Sequence, residues 1–190
     1  MKVSRAKSIE NRELVLDTAA QMFKEYGFDG IGVADLMKSA GLTVGGFYKN
    51  FESKEDLIAQ SCERACAKSV KRWEEHIANP EIPDPLKRIA SSYLSDKNRD
   101  DLSKTCLFSA LAPEAPRHDQ VVKDVFAEGL ESSLQVLTKI VPGESEAERR
   151  ANAIATFAQW LGSLILSRAA AGNSLSDEIL DVARKSANLT

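Results

Sequence analysis

The stretch GLTVGGFYKNF, residues 41–51, sets two adjacent glycines, Gly45 and Gly46, inside what should be a helix. A glycine within a helix costs about 1 kcal/mol relative to alanine, and such departures from local rules mark functional positions. Val33 to Ala40 reads as a short helix, Gly41-Leu42 as a turn, and Thr43 as the cap of a second short helix. Residues 33–51 therefore have a helix-turn-helix arrangement. Leu36, Met37, Ala40, Leu42 and Phe47 are expected to pack the pair together, and Phe51 and Leu57 to tie it to the body of the chain. Thr43, Val44, Gly45, Tyr48, Lys49 and Asn50 are left facing outward. In this motif the second helix enters the major groove of DNA while the first crosses the backbone. A nucleotide-phosphate loop is the competing reading of Gly41 to Gly46, but the Lys-Ser/Thr pair and the preceding strand are missing.

Helical periodicity continues on both sides. Upstream, Val15, Ala19, Met22, Phe23 and Tyr26 share one face of a helix from about Asn11, with Gly27 as its stop. Downstream, Ser53 with Asp56 resembles a capping box for a long helix to about Ala78, striped by Ile58, Cys62, Ala65, Ser69, Trp73 and Ile77. The breaker cluster NPEIPDPL, 79–86, separates it from a helix capped by Asp84 and ending near Leu94. Further helices are expected over Leu102 to Ala112, from Val121 to near Pro142, from a Ser145/Glu148 capping box to Gly172, and after Ser176. The fold class is all-α with about nine helices. Three short helices in the first fifty residues cannot bury much alone, so residues 1–55 form a small head and 56–190 a larger helical body.

The 190-residue chain is 43% hydrophobic and 28% charged, which suits a core and a soluble surface. Its net charge of −3 gives no global sign of nucleic-acid binding, so such a function must come from a local patch. No apolar run approaches the ~20 residues that cross a bilayer, and the N-terminus lacks a signal-peptide core. Three cysteines, Cys62, Cys66 and Cys106, form no disulfide framework and fit a reducing cytoplasm, so a cytoplasmic protein without membrane partners is expected. Cys62 and Cys66 alone make no zinc site, and His76 and His118 show no ligand spacing to them. No metal and no cofactor are expected.

The run IGVADLMKSAGLTVGGFYKNFESKEDLI, 31–58, resembles the tetracycline-repressor (TetR) family of bacterial transcription regulators. Ala40, Gly41, Leu42, Thr43, Gly45, Phe47, Tyr48, Asn50, Phe51, Lys54 and Leu57 carry the likeness, and the remainder of the chain agrees only in length and helical character. The resemblance implies a DNA-binding head on a ligand-binding, dimerising body. It implies phosphate contacts by Tyr48 and Lys54 and groove-facing positions at Thr43, Val44, Gly45, Gly46, Lys49 and Asn50. Lys2, Arg5 and Lys7 would form a basic arm along the DNA. The two glycines would let the main chain approach phosphates or base edges. The chain departs from the family in opening its second helix with Gly32-Val33 and in placing Ala34 where some members carry a long polar base reader. Asn50 and Lys49 remain as base-contact candidates, with Val44 offering van der Waals contact and DNA shape adding specificity.

For the body, the family implies dimerisation through the last two helices, here Trp160, Leu161, Leu164, Ile165 and Leu166 with Ile179, Leu180, Val182 and Ala183. A mostly apolar cavity would be lined by Trp73, Tyr93, Cys106, Phe108, Phe126, Phe157 and Trp160, with no charged cluster pointing to an anionic inducer. Cys106, in KTCLFSALAPEAPR, resembles a cysteine that some family members use to sense electrophiles or oxidants, and Lys104 is the neighbouring cation expected to favour its thiolate. The reading is a homodimeric regulator, a repressor of a near-palindromic double-stranded DNA operator, released by a small apolar or electrophilic inducer. The alternatives are a Cys106 redox or electrophile sensor and a helical protein-interaction module. An enzyme is not expected, since no Cys/His/Asp spacing supports one.

Overall fold

A computed structural model describes residues 5–188. These form ten α-helices and two 3₁₀ turns, with no strand among the described residues. The head comprises α1 (Arg5–Tyr26), α2 (Val33–Ser39) and α3 (Val44–Phe47). Helix α1 begins at Arg5, earlier than the expected Asn11, because its first turns are polar and carry no apolar period to read. Val15, Leu16, Ala19, Ala20 and Phe23 form its buried face, whereas Tyr26 is exposed. Gly41 closes α2 with a positive φ of 69°. Its N–H reaches the carbonyl of Lys38 at 3.0 Å while the N–H of Leu42 reaches that of Met37 at 2.9 Å. This is a Schellman closure, and the αL position it needs is what glycine supplies.

Helix α4 (Lys54–Ala78) runs unbroken for 25 residues from head to body. The Ser53 hydroxyl accepts from the Asp56 N–H at 3.0 Å, and the Asp56 carboxylate accepts from the Glu52 N–H at 3.0 Å. The body continues through α5 (Pro85–Tyr93), α6 (Asp96–Asp100), a 3₁₀ turn at Leu102–Lys104, α7 (Leu107–Leu111) and a 3₁₀ turn at Ala115–Arg117. It ends with α8 (Gln120–Thr138), α9 (Glu146–Ala169) and α10 (Ser174–Ser186). The helix expected over Leu102 to Ala112 is broken at Thr105 and Cys106, neither of them helical, because side chains of α1 and α9 take the polar groups of Thr105. The cap of α10 is Asn173, whose side chain accepts from the Leu175 N–H, and Ser176 lies buried inside the helix instead.

One face of α4 packs on α1 and another on α8. Arg64 and Lys68 of α4 hold Asp17 of α1 at 2.7 and 2.6 Å. Burial alone would raise the Asp17 carboxyl, but these hydrogen bonds outweigh it and hold the carboxyl below its ordinary range. On the other side α8 approaches α4 over Gly129, where a Cβ would stand 2.5 Å from Cys66 Sγ and 3.0 Å from its Cβ. Such a contact has no room in a close-packed interior. Gly129→Ala is therefore expected to lower stability by about 1–3 kcal/mol despite alanine's better helix propensity. A urea unfolding midpoint at fixed protein concentration checks this; an unchanged or raised midpoint would mean that α4 and α8 part without cost.

Candidate functional site

The surface around α3 contrasts with its underside. Phe47 is buried, with Phe51 5.5 Å from it centroid to centroid, while Tyr48 stands 72% exposed beside it. Thr43, Val44, Gly45 and Lys49 are exposed, and Gly46, Asn50 and Lys54 half-buried. Added Cβ atoms at Gly45 would meet nothing within 4 Å, and at Gly46 only Met37 Cε at 3.7 Å. Neither glycine has a positive φ. Internal packing therefore does not require them, and the helix-propensity cost they carry is matched by nothing inside the fold. Thr43 occupies the cap position of α3, but its hydroxyl makes no capping bond. Asn50, expected to reach outward to bases, turns back and donates from Nδ2 to the Gly46 carbonyl at 2.9 Å. Arg5 and Lys7 sit in the first turn of α1 instead of a loose arm, with Lys7 paired to Glu10 at 3.0 Å; Lys2 lies outside the described residues.

Between α4, α5, α7, α8 and α9 lies a cavity of about 270 Å³. Trp73, Tyr93, Cys106, Phe108 and Phe157 line it as expected. Phe126 and Trp160 do not. Phe126 packs edge-on between Phe108, 5.8 Å away, and Phe28, 6.3 Å away, while Trp160 is buried behind Tyr93 at 5.8 Å. The wall is mostly apolar, as expected, but it also carries Arg72, His76, Lys97 and Lys104, and no Asp or Glu lines it. Arg72 and His76 share α4, but Lys97 and Lys104 come from later segments, so the group was not visible along the chain.

Cys106 is half-buried at the start of α7. Lys104, the neighbouring cation in sequence, is drawn to Asp101 at 2.9 Å. Lys24 of α1, which donates to the Thr105 carbonyl at 3.2 Å, and Arg168 of α9 lie within electrostatic reach of the Cys106 thiol. Burial pushes the Cys66 thiol up to about 12 and Cys62 higher still, so both remain thiols. Arg168 is the hub of this corner. It donates to the carbonyls of Asn98 at 2.6 Å and Arg99 at 3.0 Å, to Ser109 Oγ at 3.0 Å, and to Thr105 Oγ1. Tyr93 is buried with an Oη that has no hydrogen-bond partner, the one such side-chain atom among the described residues. The neighbouring Cys106 sulfur acts on it electrostatically and as a weak acceptor within reach, but the pair does not have the geometry of a formed hydrogen bond. An unsatisfied buried hydroxyl costs about 1–3 kcal/mol. Burial, then Cys106, keeps the phenol well above its ordinary pKa, so it is a neutral O–H.

The outer face of α9 and α10 is apolar and uncovered in the single chain. Ile154, Leu166, Leu175 and Val182 are exposed, and Leu161, Ile165 and Ile179 half-buried. Trp160, Leu164, Leu180 and Ala183, expected at an interface, are instead the buried inner face where α9 and α10 meet the body.

Residues 15–60 match the family model described as bacterial regulatory proteins, tetR family. The HTH-type transcriptional repressor NemR of Escherichia coli is 26% identical over 164 residues, covering 81% of this chain and 82% of NemR. The crystal structure of its reduced form superposes with a TM-score of 0.75 over 93% of this chain and 96% of NemR, at 23% identity. A TetR-family regulator from Agrobacterium tumefaciens superposes with a TM-score of 0.78 at 20% identity, covering 95% of this chain and 97% of that one. At such identities the superpositions speak for the fold. Over residues 15–60 the chain is of the tetR family.

Bacillus subtilis YerO, an uncharacterized HTH-type transcriptional regulator, is 26% identical over 121 residues, 62% of this chain, which spans only 40% of YerO's length. With these neighbours the chain shares an all-α architecture, an N-terminal helix-turn-helix followed by a larger helical body. Sequence reasoning misses Arg168 although a signal exists: it is the lone charge in the run 151–172, and a charge there needs partners. Its carbonyl partners could not be foreseen. Arg168→Met should leave them unpaired and cost about 2–4 kcal/mol. In thermal melts the variant is expected to unfold well below the parent, and under native conditions Cys106 should react faster with a thiol reagent while Cys62 and Cys66 stay silent. A parent-like melt and parent-like thiol kinetics would show that Arg168 does not hold the Cys106 segment.

Proposed function

We propose that the protein is a homodimeric repressor that binds a near-palindromic operator through the α2–α3 surface and is released by a small molecule held in the body cavity. The observation that carries the DNA reading is the pair Gly45 and Gly46, which the fold itself does not need, beside exposed Tyr48 and Lys49. In this reading Tyr48 and Lys54 bind phosphates, while Thr43, Val44, Gly45, Gly46 and Lys49 face the groove. Asn50 braces α3 and offers only its remaining amide capacity. Arg5 and Lys7, with Lys2, add positive charge near the backbone.

The dimer reading rests on the uncovered faces of α9 and α10. A second copy of the chain would cover Leu161, Ile165, Leu166, Ile179 and Val182 by a two-fold, self-complementary contact, pairing two helices from each subunit. Two heads so joined would be set for successive major grooves about 34–36 Å apart. Residues 1–55 act as the reading head and 56–190 as the sensing body, with α4 common to both.

The route from cavity to head runs through packed side chains. Phe157 and Phe108 of the cavity lie 5.9 Å apart, and Phe108 leads through Phe126 to Phe28, in the loop after α1. Phe28 packs on His118 at 4.8 Å, and His118 reaches Glu55, next to Lys54, at 3.0 Å. The Glu114 carboxylate accepts from the Phe28 N–H at 2.8 Å. A ligand that binds better when α7 shifts would pull the heads to another spacing through this joint. A differential affinity of a few kcal/mol suffices. Cys106 at the mouth of the same segment favours a second reading, in which an electrophile or oxidant acts on the thiol to cause that shift.

Selection of genomic fragments by the purified protein at about 0.15 M salt, where nonspecific binding is weak, should recover one near-palindromic sequence. On it, Tyr48→Ala with Lys54→Ala is expected to weaken binding and to flatten the salt dependence by about 0.9 for each phosphate no longer neutralised; unchanged affinity would show that the head does not read DNA. Leu166→Glu with Val182→Glu should sediment as a monomer of unchanged helix content and lose the operator. A persistent dimer would remove α9 and α10 from the interface.

A further inference from the structure

The cavity carries a chemical preference that goes beyond its role as an inducer site, on which the inference rests. Although the whole chain has 28 acidic and 25 basic residues, no acid lines the cavity, whereas Arg72, Lys97 and Lys104 do. Lys104 is partly engaged by Asp101, at 2.9 Å; Arg72 and Lys97 stand exposed at the wall. Deeper in, Trp73 and Phe157 pack edge to face at 5.9 Å and offer ring surfaces. Among them Tyr93 brings a buried hydroxyl with no partner, beside Cys106. Neutral at physiological pH, that hydroxyl is a donor in want of an acceptor. A volume of about 270 Å³ is nearly twice that of an apolar cavity of about 150 Å³ that accommodates benzene. That is room for a fused two-ring body and a small head.

The geometry points to a compact amphipathic anion as the ligand: an aromatic body against Trp73 and Phe157, with a carboxylate-type head that accepts from Tyr93 Oη and is neutralised by Arg72 and Lys97. Three features select it together. The rings favour a flat apolar body, the orphan hydroxyl demands an acceptor, and the excess of cations without acids favours a negative charge over a neutral acceptor such as an amide or ketone. A cationic ligand would meet no counter-charge in the wall.

Isothermal titration calorimetry of the full chain without DNA, using 2-naphthoate and its neutral isostere 2-naphthamide, tests the inference. Naphthoate is expected to bind at least tenfold more tightly than the amide, about 1.4 kcal/mol. Arg72→Met with Lys97→Met should abolish that preference while leaving amide affinity nearly unchanged. Tyr93→Phe should weaken both ligands about tenfold, because both offer an acceptor, with helix content unchanged and a melting temperature no lower than the parent's. Equal affinity for acid and amide, no saturable binding of naphthoate up to millimolar concentration, or parent-like binding of naphthoate by both substituted proteins would each overturn the assignment. Operator binding with and without naphthoate is then read separately. The expected calorimetric pattern with unaltered operator affinity would leave the ligand class standing and refute its inducing role. Release by some other compound, with no naphthoate binding, would do the reverse.

Discussion

The contact of α4 with α8 over Gly129 is the constraint on which the other parts depend. Cys66 and Phe108, the side chains that crowd Gly129, are also walls of the cavity. Were α8 held further off, the cavity would lose its floor and Phe126 would lose its place between Phe108 and Phe28. The same turns of α4 that carry this contact also grip α1 of the head, through Asp17 with Arg64 and Lys68. A close-packed interior transmits displacement because it has no slack to absorb it. That makes one long helix, gripped on two sides, a suitable lever between the proposed ligand and the proposed DNA surface.

Polar groups do a different job, and they concentrate where regular structure fails. Residues 98–109 pass through a short helix, a 3₁₀ turn and two non-helical residues before α7. Their carbonyls and hydroxyls are taken by Arg168 from α9 and Lys24 from α1. A half-buried guanidinium with no carboxylate hydrogen-bonded to it is tolerated because hydroxyls and carbonyls fill its donors, and burial still lowers its pKa, partly opposed by Tyr93, Cys106 and Asp100. The segment bearing Cys106 is thus tied to the head helix and to the helix whose outer face is proposed to meet a second subunit. A chemical event there is felt at both.

Legibility along the chain varies with the range of the interactions involved. Gly41, Ser53, Asp84 and Ser145 are readable because caps and turns are decided within a few residues. Asn173 and Ser176 are both good caps by type, and burial of Ser176 against the carbonyl of Ser167 at 2.7 Å decides between them. The break at Thr105 has no local cause; it comes from partners far along the chain, at positions 24 and 168. In α9, hydrophobicity nearly all round its circumference conceals which stripe is inner. Trp160 and Leu164 face the core and Ile154 and Leu166 do not, because of where α8 and α10 lie.

The sequence by itself determined an all-α chain, the helix-turn-helix near its start and the TetR-type motif within it, since these depend on local propensity, short-range caps and a motif of fixed spacing. Only the tertiary structure decided the sign of charge around the cavity, the isolation of the Tyr93 hydroxyl and the outward stripe of α9 and α10. Those depend on residues from separate helices meeting in space. Charge and hydrogen-bond satisfaction are properties of such meetings, and no single stretch of chain contains them.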